Sequence, residues 1–345
     1  MTRAARKPSA SGFVNAVLRA TLRQRNRLPL PPRPADPSNR TAALAYLGIT
    51  HSHPDWLVSR WLDRYGFEDT ERWVRFNNET PPLTLRVNRL RVTREQAIAV
   101  LEQDDVDVEP TRYAPDGLVV TRGNPLRRQP DGLVFVQDEA SQLVPAVVSA
   151  SPRERILDLC ASPGGKALAM AADMNDMGAI VASDVRSKRL SLLQETIRTA
   201  SARSVSIVRV PRAGPLPFAA IFDAALVDAP CSGLGTVRRD PDIRWRRHER
   251  DLEVLGRDQL ALLLRAAEVV RPGGRLVYAT CSSEPEENDR VVANFAALRT
   301  DFRIVNLLTH RSTVIAPFVD AEGFFRTTPH RHGLEAFFAA LLTRH

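Results

Sequence analysis

Apolar positions fall into two rhythms along this chain. In PDWLVSRWLDRYG, Trp56, Leu57, Trp61 and Tyr65 recur at helical spacing, and ERWVRFNNE predicts a second short helix. Pro81-Pro82 stops helix formation. LTLRVNRL alternates as a strand does, and TREQAIAVLEQ opens with Thr93 as N-cap and Gln96 three residues on, a capping box. DVDVEPTRY and GLVVT predict two more strands around the turn Pro115-Asp116-Gly117. Residues 51–128 therefore read as a small α+β domain.

From about residue 130 the rhythm becomes strand, loop, helix. The predicted strands are RILDLC, AIVASD, VSIVRV, FDAALVDAP and RLVYATC. The helices between them are ALAMAADM, SKRLSLLQETIRTA and a long one from about Arg250 to Val270, closed by Pro272-Gly273-Gly274. Such alternation implies an α/β fold, a mostly parallel, doubly wound sheet covered by helices on both faces, over 129–345. Ahead of both domains, Phe13, Val14, Val17, Leu18 and Leu22 mark an amphipathic helix, and RLPLPPRPADPSNR reads as a linker, so 1–50 stand apart.

Bulk properties narrow the class. With 43% hydrophobic and 26% charged residues, the 345-residue chain has an ordinary globular composition. No apolar run approaches the roughly 18 residues that cross a bilayer, so no membrane partner is expected. Three cysteines at wide spacing make no disulfide framework, which points to a reducing cytoplasm. Residues 1–35 carry Arg3, Arg6, Lys7, Arg19, Arg23, Arg25, Arg27 and Arg33 and no acid. Such a segment suits a polyanionic partner; a transit peptide and a solvated helix face are the competing readings.

The first strand of the repeat runs into CASPGGK, Cys160 to Lys166, and then a helix. Gly164 and Gly165 admit a ligand close to the backbone, and the helix start offers free N–H groups. Asp184 ends the second strand, 19 residues beyond Gly165, close to the spacing expected of an acid on a ribose hydroxyl. Loop and acid together read as a nucleoside-cofactor site. Neither G-x-G-x-x-G nor G-x-x-x-x-G-K-[ST] is present, so this pattern alone does not name the cofactor.

Cys231 and Cys281 end the fourth and fifth strands, which in such sheets adjoin the first. Core filler, a zinc site with Cys160, and covalent catalysis compete. No C-x-x-C pair supports zinc, and no metal is expected. Covalent chemistry has a use for both thiols. Cytosine C5 is too weak a nucleophile to take a methyl group until a thiolate has added to C6, and both that thiol and the C5 proton must then leave. A carboxyl at the base edge, as Asp228 would be, can share a proton as charge builds up.

DLCASPGGK, DAPCSGLGTVRRDPDIRW and YATCSSEPEEN closely resemble the motifs of the Nop/Sun family of S-adenosylmethionine-dependent RNA cytosine-C5 methyltransferases, nearest to the bacterial Sun (Fmu) type that acts on small-subunit ribosomal RNA. The resemblance runs from about Ser11 to the C-terminus and includes VQDEASQ and AFFAALL. It implies a class I methyltransferase domain that binds S-adenosylmethionine behind a small RNA-binding domain. It makes Cys281 the nucleophile, with Cys231 assisting product release as a base and Asp228 and Lys166 beside the reacting groups. Cys160, Ala161, Ser162, Pro163, Gly164, Gly165 and Lys166 would wrap the methionine part of the cofactor. Asp184 would hold the ribose, with Arg189 and Asp228 also in the cofactor site. Ribosomal RNA is the implied substrate, transfer RNA the runner-up, and a monomer is expected. A catalytically impaired ribosome-assembly factor and a nicotinamide-dependent dehydrogenase are the rivals; the two retained cysteines argue against both. RRDPDIRWRR, Arg238 to Arg247, adds basic residues and Trp245, which suits either phosphate contact or core packing.

Two departures from the family stand out. Pro211 occupies the place of an aspartate that usually contacts the cofactor's adenine. SGFVNAVLRATLRQ resembles only the last helix of the NusB-like domain that precedes Sun-type enzymes, so its apolar stripe is expected to lack packing partners and the helix to be poorly ordered.

Overall fold

The computed structural model describes residues 7–127, 132–309 and 312–345. Arg3 and Arg6 of the basic segment, and the expected domain boundary at 128/129, lie outside the described residues. The chain divides between Val74 and Arg75 into two compact units.

In the first unit, helix Ser11–Gln24 forms as its periodicity predicts but buries no residue, and Phe13 at the head of the apolar stripe is 74% exposed. The Pro-rich stretch that follows is pinned: Arg33 pairs with Glu68 at 2.7 Å and with Glu71 at 3.0 Å. The two helices expected after His53 form one element, Asp55–Asn78, kinked at Gly66, whose φ of 73° only glycine adopts without strain. Across the kink Trp61 and Trp73 stack with ring centroids 5.0 Å apart.

In the second unit, β1 (Thr84–Val87), β2 (Asp107–Pro110), β3 (Gly117–Arg122) and β4 (Val134–Val136) form an antiparallel sheet in the order β2-β3-β1-β4. Helix Arg94–Gln103 carries the predicted capping box, Thr93 Oγ1 accepting from Gln96 N–H at 3.3 Å and Gln96 Oε1 from Thr93 N–H at 2.9 Å. Ala97 and Leu101 of this helix pack on Leu85, Val87 and Leu118 of the sheet. The short β4 was not anticipated: its three residues show no alternation, and only pairing with β1 makes them a strand.

The larger sheet contains β5 (Arg155–Asp158), β6 (Ala179–Asp184), β7 (Val205–Arg209), β8 (Phe222–Asp228) and β9 (Val270–Thr280), all mutually parallel. β10 (Phe302–Val305), β11 (Phe325–Arg326) and β12 (Phe338–Arg344) join antiparallel at one side, giving the order β10-β12-β9-β8-β5-β6-β7 with β11 on β12. Successive strand residues alternate between two cores. Ile156, Ala224, Leu226 and Val277 enter one, while Leu157, Ala225, Val227 and Leu276 enter the other. Both faces are therefore buried, as continuous apolar strands require.

The end of the long helix also differs from expectation. The long helix spans Glu249–Ala267, and Pro272-Gly273-Gly274 belongs to β9. There the register against β8 shifts from Phe222–Val270 to Ala224–Arg275, with Gly273 at φ 75°. A proline without an N–H and a glycine in the left-handed region form a bulge inside a strand here, not a helix stop. Among the described residues no helix is long and apolar enough to cross a membrane.

Candidate active site

Because β5 is flanked by β6 on one side and β8 on the other, their carboxyl ends open a crevice at the switch point of the sheet. The loop from Cys160 to Gly165 turns there into helix Gly165–Asp173. Gly164 has φ 112°, a backbone conformation that strains any residue with a side chain, and a Cβ on it would press on Leu193 Cδ1 at 2.9 Å. The adjoining cavity is lined by Gln137, Ala161, Ser162, Pro163 and Gly165, together with Asp158, Cys160, Lys166 and Asp228. Asp184 and Arg189 lie outside this lining. Arg186 N–H caps Asp184 Oδ1 at 3.0 Å, Arg189 reaches Oδ2 at 3.7 Å, and Ser162 Oγ donates to Arg189 O at 3.0 Å.

Lys166 and Asp228 come from different elements and meet at 2.8 Å. A third group steadies them. Asp138 caps helix Glu139–Leu143 by accepting from Ser141 N–H at 3.0 Å, and Ser141 Oγ in turn accepts from Lys166 Nζ at 3.1 Å. Burial works against the Lys166 ammonium, but the surrounding carboxylates, Asp228 foremost and then Asp138 and Asp158, together outweigh it and the net shift is upward. Lys166 is accordingly a fixed cation beside the carboxylate at the end of β8.

Asp158 escaped the reading of the sequence, where it is simply the last residue of a strand. It is 1% exposed, and among the described residues neither of its carboxylate oxygens has a hydrogen-bond partner; Gln137 Oε1 is likewise unpartnered. Burial, reinforced by Asp228, raises its pKa to about 7. A buried carboxyl without donors is costly unless a ligand supplies them. S-adenosylmethionine, with its α-ammonium and sulfonium charges, is a cation of this kind, and the glycine cradle and acid-lined cavity fit it.

The two cysteines converge. Cys231 follows β8 by three residues, Cys281 follows β9 directly, and their sulfur atoms are 2.9 Å apart. The hydrogen bond to Cys281, then burial, hold the Cys231 thiol well above its ordinary pKa, so it retains its proton. Burial does the same to Cys160, aided by Asp158 and Asp228, which leaves that thiol unreactive. Among the described residues Cys160 hydrogen-bonds neither of the others, and no group of His, Cys, Asp or Glu is arranged to hold a metal ion.

Two flanking features complete the site. Trp245, on the short helix Ile243–Arg246, is 55% exposed, which removes core packing as its role. Its neighbour Arg247 donates to Ser232 O at 2.9 Å and so ties this helix to the Cys231 loop. Pro211 O, Arg212 O and Gly214 O all accept from the Arg265 guanidinium, at 2.8, 3.2 and 2.7 Å, and Pro211 supplies no side-chain acceptor where an adenine would be read.

The chain matches two family models, 16S rRNA methyltransferase RsmB/F over residues 145–343 and the RsmF/B-like ferredoxin-like domain over 53–127. It is 33% identical over 336 residues to a probable ribosomal RNA small subunit methyltransferase B of Bacillus subtilis, covering 95% of this chain and 72% of that one. It is 34% identical to ribosomal RNA small subunit methyltransferase B of Pseudomonas putida, covering 88% and 68%. Among solved structures, PH0851 superimposes with a TM-score of 0.80 at 32% identity over 90% of this chain and 69% of that one. A methyltransferase homologue from Pyrococcus horikoshii gives 0.72 at 27% identity, over 87% and 98%. By its sequence motifs, its sheet order and these relatives, the chain belongs to the RsmB/F family of 16S rRNA methyltransferases.

Proposed function

We propose that this protein methylates C5 of a cytosine in 16S ribosomal RNA, with S-adenosylmethionine as donor and Cys281 as the nucleophile. The observation that carries the reading is the paired thiols at adjacent strand ends, beside a carboxylate held by a lysine. In this scheme residues 160–166 receive the methionine moiety, Asp158 accepts from its ammonium group, and Asp184 faces the ribose with Arg189 beside it. When bound, the cofactor supplies an electrophilic methyl group.

The chain's own groups act as follows. The Cys281 thiolate adds to C6, and the electrons of the 5,6 double bond build up at C5 and along the base edge. Asp228, oriented by Lys166, shares a proton with that edge as charge accumulates. C5 then takes the methyl group. For release, the C5 proton departs to the Cys231 sulfur, which no longer shares a proton with Cys281 once that residue is bonded to C6. The C5–H bonding pair restores the double bond, while the C6–S bond breaks with its electrons returning to Cys281. Cys231, with its sulfur next to the leaving one, serves this release.

The proposed division of labour is a basic helix and linker over 1–50, an RNA-binding domain over 51–128 and the catalytic domain over 129–345. A cytoplasmic monomer that needs no metal completes the reading. The test is incubation with methyl-labelled S-adenosylmethionine and either 16S rRNA or transfer RNA, using wild type, Cys281→Ala and Cys231→Ala. Label in 5-methylcytosine of 16S rRNA, lost in Cys281→Ala, is the expected result. Cys231→Ala should retain a covalent protein–RNA adduct on denaturing gels. Full methylation by Cys281→Ala overturns the mechanism, and label confined to transfer RNA overturns the substrate.

A further inference from the structure

The cysteine loops are joined by a residue outside both. Glu287 stands six residues beyond Cys281 in SSEPEEN and is completely buried. Its Oε1 accepts from the backbone N–H of Ser232, the residue after Cys231, at 2.7 Å. Its Oε2 accepts from Ser282 Oγ, on the residue after Cys281, at 2.5 Å. The two serine hydroxyls also meet, at 3.2 Å. Gln259, itself buried, donates to Glu287 Oε1 at 2.9 Å and to Pro230 O at 3.0 Å, reinforcing the Cys231 side. Tyr278 of β9 holds Gln259 Oε1 and the Glu287 carbonyl.

The donors to the Glu287 carboxylate among the described residues are all neutral groups. A buried carboxylate neutralised only by hydrogen bonds is expensive to keep. Each of its oxygens serves one cysteine loop, so the cost is matched by a geometric result: the residues following the two thiols are fixed to a single group.

We infer that Glu287 is a positioning residue that sets the spacing of Cys231 and Cys281, and so couples formation of the RNA adduct to its breakdown. The coupling rests on the proposed roles of the two cysteines; the spacing does not. Glutamine at 287 can keep the bridge, since its carbonyl accepts from Ser232 and Gln259 while its amide donates to Ser282 Oγ, which then turns its proton to Ser232 Oγ. Alanine cannot, and leaves the Ser232 N–H unsatisfied.

The experiment compares wild type, Glu287→Gln, Glu287→Ala and Ser282→Ala in two assays. The first reads spacing without catalysis. Diamide takes two electrons and two protons from the thiols to give a Cys231–Cys281 disulfide and the hydrazine, at a rate that depends on sulfur approach. The second follows the partition of RNA between adduct and methylated product. Glu287→Ala should form the disulfide at least tenfold more slowly and shift RNA from product to persistent adduct, and Glu287→Gln should restore both. If Glu287→Ala does not fold, Ser282→Ala, which cuts the Cys281 side of the bridge together with the contact between the two serine hydroxyls, decides by the same rate. Wild-type disulfide rates in the severed variants overturn the inference, as does Glu287→Gln behaving like alanine. A Cys231→Ala protein that traps no Cys281-dependent adduct instead removes the proposed chemistry and leaves the spacing result standing.

Discussion

Ser141 Oγ lies 3.1 Å from Lys166 Nζ, and the same ammonium lies 2.8 Å from Asp228 Oδ2. The hydroxyl thus fixes one direction of a lysine whose other direction faces the Asp228 carboxylate. Removing it leaves the ion pair but frees its orientation. Ser141→Ala should slow single-turnover methylation about fivefold, the value of one hydrogen bond near 1 kcal/mol, with little change in melting temperature.

Asp158 gives a pH signature. Its folded pKa of about 7 lies above the ordinary carboxyl value, so burial favours its protonated form. The associated stability is full at low pH and is lost as pH rises through about 7, because ionising the group costs more in the folded protein than in the unfolded chain. A cationic cofactor reverses the preference and expels the proton. Calorimetry at pH 7 in buffers of different ionisation enthalpy should find roughly half a proton released per S-adenosylmethionine bound. Asp158→Asn should abolish the release and weaken binding by about one to two decades. An unchanged proton count in the variant removes Asp158 from the cofactor site.

Pro211 is held through its carbonyl, which any residue supplies, so Pro211→Asp leaves the Arg265 clamp in place. The introduced carboxylate should tighten S-adenosylmethionine binding by about 1–3 kcal/mol, measured as a fall in Kd. Equal affinity for the two proteins would mean that the cofactor's adenine does not rely on this position.

Trp245 offers an exposed aromatic face on a helix tied to the Cys231 loop. Base stacking on such a face contributes about 1–3 kcal/mol. Trp245→Ala should weaken RNA binding by that amount in a filter or polarisation assay, while thermal stability stays within about 0.5 kcal/mol of wild type.

The sequence exposed the five parallel strands, the order of β5, β8 and β9, and both cysteines, because buried parallel strands and their loop-end residues are local patterns; the antiparallel β10, β11 and β12 stayed hidden. What stayed hidden depended on distant partners. β4 is a strand only through β1, 47 residues before it at the paired Val87 and Val134. Glu287 sits in the acidic stretch EPEE, where nothing local marks it as buried, and it is buried because Ser232, Gln259 and Ser282 converge on it. Asp158 is informative only through the donors it lacks. The side of Trp245 was ambiguous because a four-residue helix is too short to show a period.

β12 lies between β9 and β10, antiparallel to both, although it follows β9 by nearly sixty residues in the chain. During synthesis the strand that delivers Cys281 must therefore wait, its outer edge open, until residues 338–344 have left the ribosome. At about 5–20 residues per second that interval lasts roughly 3–13 s, during which the nascent sheet offers an unpaired edge to any neighbouring extended peptide. The strand edge beside the thiol site is thus covered late, once β12 has inserted between β9 and β10.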